Sequence, residues 1–187
     1  MPRALDVLIA ALALAILSPV LLVAAIAIKL TSSGPVVYRQ RRVGLGGREF
    51  EMWKLRTMVR GSDPVGVGKV VYRDDPRVTA SGRLLRRTSL DELPNLANVL
   101  RGEMAIVGPR PTIKAQVDDY TPQQKRRHEV LPGITGWAQV QGRAGIPWEE
   151  RIELDLWYVD HRSFALDLRI LAKTAWLVLS GQGLAPE

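Results

Sequence analysis

The chain has 187 residues, two histidines, no cysteine, and a formal net charge of +7 with a pI near 10.1. The length suits one compact domain plus a membrane segment, and the missing cysteines exclude disulfides and thiolate metal sites. The basic balance suits an anionic partner: nucleic acid, a phospholipid surface or a phosphorylated substrate.

Apolar residues crowd into the first 30 positions, and Val7 to Ile28 carries no charge. That run is about 22 residues, roughly 33 Å as a straight helix, enough to span the hydrocarbon. It is too long for the apolar region of a signal peptide, and Lys29-Leu30-Thr31 lacks a small-residue cleavage pattern. Within it sits Ser18-Pro19. Pro19 has no N–H for the carbonyl of Ala15, and Ser18 can bond back to a carbonyl one turn earlier, so the pair favours a bend. Two readings stay open. One is a kinked span; the other is a hairpin whose halves, about 16 Å each, reach the bilayer midplane and return. Lys29, Arg39, Arg41, Arg42 and Arg48 place the C-terminal end in the cytoplasm, while Arg3 and Asp6 form a weak flank that fits either side.

Next, Val36-Val37-Tyr38 predicts a strand, Leu45-Gly46-Gly47 a hairpin tip, and a second strand follows. Gly44-Leu45-Gly46 is not a dinucleotide loop, because Glu49 stands where the third glycine belongs. Residues 60–79 read as a loop, in which Asp74-Asp75 ahead of Pro76 fits a turn better than a metal site. Helical patterns cover Leu93–Leu100, Pro122–Glu129, Trp148–Val159 and Asp167–Leu179. The last has Leu168, Leu171, Ala172, Ala175 and Leu179 on one face, with core-facing and membrane-interfacial readings in balance.

The densest charged patch is RLLRRTSLDELPNL, residues 83–96. Ser89 to Glu92 fits a capping box, with Pro94 near a helix start, which would make Asp91 and Glu92 plain helix-start residues. The same geometry holds an ionised carboxylate among Arg83, Arg86 and Arg87. Such a carboxylate can attack phosphorus or hold Mg²⁺. Downstream, Arg110 is fixed between Pro109 and Pro111, a presentation suited to bidentate phosphate contact. PGITGWAQVQGR, residues 132–143, is too glycine-rich to predict a helix and offers backbone N–H groups and Arg143 to an anion. His128, in KRRHE, reads as part of a solvated helix face, and His161 as a helix-end residue. No Ser/His/Asp set or zinc spacing is present, so chemistry falls to carboxylate, arginine and metal.

Together these stretches resemble the small monotopic phosphoglycosyl transferases, also called bacterial sugar transferases or undecaprenyl-phosphate sugar phosphotransferases. The likeness rests on SP at 18–19, GPVVYRQRRVG at 34–44, FEMWKLRTM at 50–58 and DPRVT at 75–79. It continues through RRTSLDELPNLANVLRGEMAIVGPRP at 86–111, PGITGWAQVQGR at 132–143 and ELDLWYV at 153–159. Two departures stand out: Gln141 where the family has Asn before Gly-Arg, and His161 where Asn commonly follows YVD.

The resemblance implies transfer of a sugar-1-phosphate from a UDP-sugar to undecaprenyl phosphate, with release of UMP, through a covalent aspartyl intermediate. It implies Asp91 as nucleophile with Glu92 as its partner, Asp91 and Glu92 as the residues that hold Mg²⁺, and Arg86, Arg87, Arg110 and Arg143 around the phosphates. It implies a re-entrant helix over residues 1–30 hinged at Ser18 and Pro19, and a cytoplasmic catalytic domain over 31–187. The expected fold is mixed α/β and helix-rich, with amphipathic membrane-lying helices, no large parallel sheet and no extra N-terminal spans. The expected place is the cytoplasmic face of the bacterial inner membrane, among membrane lipids, with no nucleic acid partner and with room for a homo-oligomer. The other class that fits the charge is a non-enzymatic membrane-anchored basic module binding anionic lipid or nucleic acid, although no recognition helix or stacking motif supports the latter. The sugar is not legible.

Overall fold

The structure is a computed structural model that describes residues 1–62, 75–142 and 146–180. Helix α1, Arg3–Thr31, takes the whole apolar run without interruption. At Pro19 the ladder lacks a donor for the Ala15 carbonyl, and the Ser18 hydroxyl donates to that same oxygen at 2.8 Å. The Ser-Pro pair thus repairs the gap that its own proline opens, and the helix stays continuous where a hinge was expected.

Both halves of α1 pack on one body. Ala10, flanked by Ile9, Ala13 and Leu14, joins a core with Leu96, Val99, Met104 and Ile170. Ala24 and Ile28 join Leu55 and Leu85 in a second cluster. Between them Ile16, Val20, Leu22 and Val23 are exposed. Polar contacts fasten both ends. The Met1 amine pairs with Asp167, and Arg3 donates to the carbonyls of Val99 and, at 2.8 Å, Met104. Buried Asp6 accepts from the Ile106 N–H at 3.0 Å. At the far end Arg56 donates to the Ser32 carbonyl at 3.0 Å, and the Thr31 and Ser81 hydroxyls meet at 2.6 Å.

Strands β1, Val37–Val43, and β2, Glu49–Leu55, form the expected antiparallel hairpin around a one-turn 3-10 helix at Leu45–Gly47. The register places Tyr38, Gln40 and Arg42 opposite Lys54, Met52 and Phe50 on one face. Arg39 and Arg41 pair with Trp53 and Glu51 on the other. Helix α2, Ala80–Arg87, starts at Thr79, whose hydroxyl accepts from the Gly82 N–H at 3.0 Å. A Cβ on Gly82 would lie 2.0 Å from the Thr57 carbonyl oxygen, so only glycine lets α2 press against the end of β2. Helix α3, Asn95–Leu100, is pinned to the edge of β2 by buried Asn98. Its amide accepts from Trp53 N–H at 3.1 Å and donates to the Glu51 carbonyl at 2.6 Å. The segment joining α2 to α3 is therefore held beside β2 from both sides.

Strand β3, Ala105–Val107, pairs in parallel with β4, Gly133–Thr135. Among the described residues the two sheets have two strands each, as the absence of a large parallel sheet requires. The remaining helices are α4 (Lys114–Asp118), α5 (Pro122–Lys125), α6 (Trp137–Gly142), α7 (Trp148–His161) and α8 (Phe164–Leu179). Helix α6 corrects the expectation for residues 132–143. Gly133 and Gly136 lie in and just after β4, and the five residues after Gly136 carry no glycine to oppose a helix. The Pro122–Glu129 pattern splits into α5 and a 3-10 turn, Arg126–His128, and that turn buries Arg127 and His128 rather than presenting a solvated face. Helix α8 buries Leu166, Asp167 and Ile170. Leu168, Ala172, Ala175 and Leu179 of its predicted stripe are exposed, with Trp176, so that most of the stripe does not pack into the core.

Candidate active site

Between α2 and α3 the chain makes one 3-10 turn, Leu90–Glu92. Ser89 enters it with φ of 57°, the only non-glycine positive φ among the described residues. Left-handed backbone at a residue with a Cβ costs energy and gathers at functional sites. Ser89 makes no capping bond and Glu92 does not reach back, so the capping box expected from the sequence is not formed.

Glu92 turns instead toward two cations. Lys54 donates to Oε1 at 3.0 Å. Arg110 straddles the carboxylate, with Nη1 on Oε2 at 3.1 Å and Nη2 on Oε1 at 2.6 Å. Charge-assisted, bidentate bonding outweighs a neutral cap. Burial alone would raise the Glu92 pKa, but Arg110 and Lys54 together hold it well below the carboxylate range.

Asp91 has the opposite fate. Its carboxylate accepts no hydrogen bond from the described residues, and burial, with the Glu92 charge next to it, pushes its pKa up to about 6. Lys54, Arg86 and Arg110 oppose that rise. Two neighbouring carboxylates thus titrate far apart, as sites with divided roles do.

Further cations surround the pair. Arg86 is held by its Nε on the Thr57 hydroxyl at 3.1 Å, and burial lowers its pKa. Arg42, on the same hairpin face as Lys54, donates to Gln40 Oε1 at 2.7 Å and leans on the Pro111 carbonyl at 3.4 Å. Burial first, and then Arg110, bring its pKa down to about 10. Lys54 is likewise lowered, because burial outweighs the attraction of Glu92. Lys54, Arg42, Arg86 and Arg110 face two carboxylates, an excess of positive charge that a phosphate-bearing ligand would neutralise.

The structure thus brings Asp91, Glu92, Arg86 and Arg110 together. Arg87 is exposed in the last turn of α2. Arg143 and Asp74 lie outside the described residues. Asp75 forms a turn with Arg77, which bonds its carboxylate and holds its pKa down to about 2. Ser18 and Pro19 stand on the exposed middle of α1. Lys54 and Arg42 were not singled out from sequence. The signal was there: a strand alternates faces, and Lys54 shares its face with buried Met52.

The histidines take no part in the pair. His161 Nδ1 meets the Trp157 carbonyl at 2.8 Å, near the end of α7. His128 is buried beside Tyr120, its pKa brought down to about 4 by burial and by Arg127.

As for a metal, among the described residues no three or more of His, Cys, Asp and Glu gather into a cage. Mg²⁺ is commonly held by only one or two carboxylates, with phosphate oxygens and water completing its shell. The open Asp91 carboxylate beside an anchored Glu92 fits that donor set.

A family described as "Bacterial sugar transferase" matches residues 1–181. Over 182 residues the chain is 45% identical to the "uncharacterized sugar transferase EpsL" of Bacillus subtilis, covering 97% of this chain and 89% of that protein. It is 48% identical over 180 residues to the UDP-glucose:undecaprenyl-phosphate glucose-1-phosphate transferase of Caulobacter vibrioides, covering 92% of this chain and 67% of that one. It is 41% identical over 187 residues to a UDP-N-acetylgalactosamine-undecaprenyl-phosphate N-acetylgalactosaminephosphotransferase of Aeromonas hydrophila, covering 97% of this chain and 44% of that protein.

Proposed function

Because the chain belongs to the bacterial sugar transferase family, we propose that it transfers a sugar-1-phosphate from a UDP-sugar to undecaprenyl phosphate and releases UMP. The observation that carries this reading is the split pair: Glu92 locked as an anion by Lys54 and Arg110, and Asp91 half-buried beside it with no hydrogen-bond donor among the described residues. A carboxylate kept free of partners is a better nucleophile than one spent on a salt bridge.

The proposed reaction has two displacements. An Asp91 oxygen attacks the sugar-linked phosphorus; the bond from that phosphorus to the bridging oxygen breaks, and UMP departs with the electron pair. An oxygen of the lipid phosphate then attacks the same phosphorus, the bond to Asp91 breaks, and the carboxylate is regenerated with the sugar diphosphate on the lipid. Arg110, Arg42 and Arg86 offset the charge that builds on the phosphoryl oxygens. Glu92 keeps Lys54 and Arg110 in place. Mg²⁺, held by Asp91 with Glu92 nearby, would supply further charge neutralisation at the pyrophosphate.

The reading places the enzyme on one face of the membrane, the cytoplasmic face of the bacterial inner membrane. Support comes from α1. Its ends are tied to a single polar body, by Arg3 and Asp6 at one end and Arg56 and Ser81 at the other. A helix with its ends in opposite compartments would draw that body into the hydrocarbon, where its charges are costly. The exposed middle, around Ser18-Pro19, is then the part that dips into lipid. The exposed apolar stripe of α8 fits a helix lying at the interface.

The test is UMP release from a panel of UDP-sugars in detergent, with and without Mg²⁺ and undecaprenyl phosphate. Turnover that needs both establishes the reaction and names the sugar, which relatives acting on UDP-glucose and on UDP-N-acetylgalactosamine leave open. Silence across a broad panel would overturn the reading in favour of a basic membrane anchor.

A further inference from the structure

Behind Arg110 lies a buried ion pair with no part in the scheme above. Arg127, in the 3-10 turn Arg126–His128, and Asp155, in the middle of α7, pair with side chains 2% and 3% exposed. The same guanidinium donates to the Tyr120 hydroxyl at 2.8 Å and to the Arg110 carbonyl at 2.9 Å. It also lies over the rings of Tyr120 and Trp148, at 5.8 and 5.6 Å from their centroids.

The Arg110 carbonyl is a telling place for such a bond. Pro109 and Pro111 give the loop no N–H groups, so it is held mainly through its carbonyls. Pro109 accepts from the Gly133 N–H at 2.9 Å, Pro111 from Arg42 at 3.4 Å, and Arg110 from Arg127. The side chain of that same Arg110 then straddles Glu92. A buried ion pair contributes little net stability compared with an apolar pair of similar volume, so stability alone is a weak reason for this one.

We propose that Arg127, braced by Asp155 and Tyr120, is a positioning residue that fixes the Arg110 backbone, so that Arg110 meets Glu92 in bidentate register beside Asp91. The link runs from α7 through Asp155, Arg127 and the Arg110 carbonyl to Glu92. Its catalytic meaning rests on the transferase reading; its structural content does not.

The test removes both charges at once, in the variant Arg127→Met with Asp155→Leu, so that no lone buried charge is left to unfold the protein. Two readouts are taken. The first is NMR of ¹⁵N-labelled arginine side chains in detergent, with the Arg110 guanidinium signals assigned by their loss in Arg110→Lys. Hindered rotation of a bidentate guanidinium gives separate Nη signals in the wild type. In the double variant these collapse to the pattern of a freely rotating group, while the melting temperature stays close to wild type. The second is UMP release, where kcat falls about 100-fold with little change in KM, the scale of a small misplacement of a catalytic group. In an Arg110→Lys background the same double replacement changes kcat by less than about 3-fold, because the path it acts through is already cut.

A folded double variant with unchanged Arg110 signals overturns the proposal. So does a kcat loss of equal size in the Arg110→Lys background, which would mark a purely structural role. If the double variant does not fold, Arg127→Lys, which keeps the charge but cannot reach both Tyr120 and the Arg110 carbonyl, is read by the same two measurements. A wild type that releases no UMP overturns the transferase reading, and the Arg110 signals alone then decide the positioning.

Discussion

Asp91 and Glu92 are neighbours with opposite effects on stability. Asp91 titrates at about 6 in the fold against 3.8 in its ordinary state. Its folded pKa is raised, so the folded state holds the extra proton between those values and loses stability as pH rises through that window. Asp91→Asn is expected to abolish UMP release and to raise the melting temperature near neutral pH. The full shift corresponds to about 3 kcal/mol, and partial solvent access reduces it to about 1–2 kcal/mol. Below about pH 4 the gain should vanish, because Asp91 is then protonated in both states. Turnover runs the other way. The nucleophile must be an anion, so kcat/KM, which follows the free enzyme, is expected to fall on the acid side as Asp91 takes up its proton, with an apparent pKa of about 6. Glu92→Gln should do the reverse to stability. Its depressed pKa stabilises the fold above the ordinary value of 4.5, and that contribution is lost as pH falls through the folded value. Near neutral pH the substitution leaves Lys54 and Arg110 facing each other, for a loss of about 3 kcal/mol by thermal or chaotrope melts. A Glu92→Gln protein as stable as wild type would show that the two cations find other partners.

At the scale of elements, the periodic stretches were legible and the non-local ones were not. The β1–β2 hairpin follows from β-prone runs around Leu45-Gly46-Gly47, and α7 and α8 from their 3.6-residue patterns. The capping box at Ser89 was locally well formed in sequence, yet it lost to Lys54 and Arg110, 38 and 18 positions from Glu92. No local pattern announces such partners. Burial of Arg127 and His128 escaped for the same reason, since it depends on α7 and Tyr120 closing over them. Helix α6 is hidden by the glycine content of its surroundings, since Gly133 and Gly136 fall in and just after β4 and leave Trp137 to Gln141 free of glycine. Helix α1 combines both lessons. Its apolar length was plain, while the fastening of both ends to one body was not. That fastening yields a topology test. With no native cysteine, single replacements Ala4→Cys and Arg87→Cys, both at exposed positions, report the two sides of α1. One-sided topology predicts that a membrane-impermeant maleimide labels neither in intact cells and both after lysis. Labelling of Ala4→Cys from outside would establish a true span.

For the whole molecule, two forces compete to explain membrane attachment, and their magnitudes separate them. The net charge of +7 gives at most about 1 kcal/mol for each Lys or Arg that lies near an anionic surface, and many of these arginines are spent on internal contacts. Arg3, Arg42, Arg56, Arg110 and Arg127 all donate to the protein's own carbonyls or carboxylates. The apolar term is larger. Leu8, Leu12, Ile16, Leu22, Val23, Ile26 and Leu30 are exposed along α1, and Leu168, Trp176 and Leu179 along α8. Moving a large apolar side chain out of water is worth about 1.5–3 kcal/mol, so the α1 residues alone contribute on the order of 10 kcal/mol. Attachment by that surface does not respond to ionic strength. A wash of isolated membranes at about 1 M salt, where the Debye length is about 3 Å, should therefore leave the protein in the pellet, and mild detergent should release it. Release by salt alone would mean that charge holds the molecule. That result would favour the basic-module reading of this sequence, and it would require the exposed faces of α1 and α8 to be covered by something other than lipid.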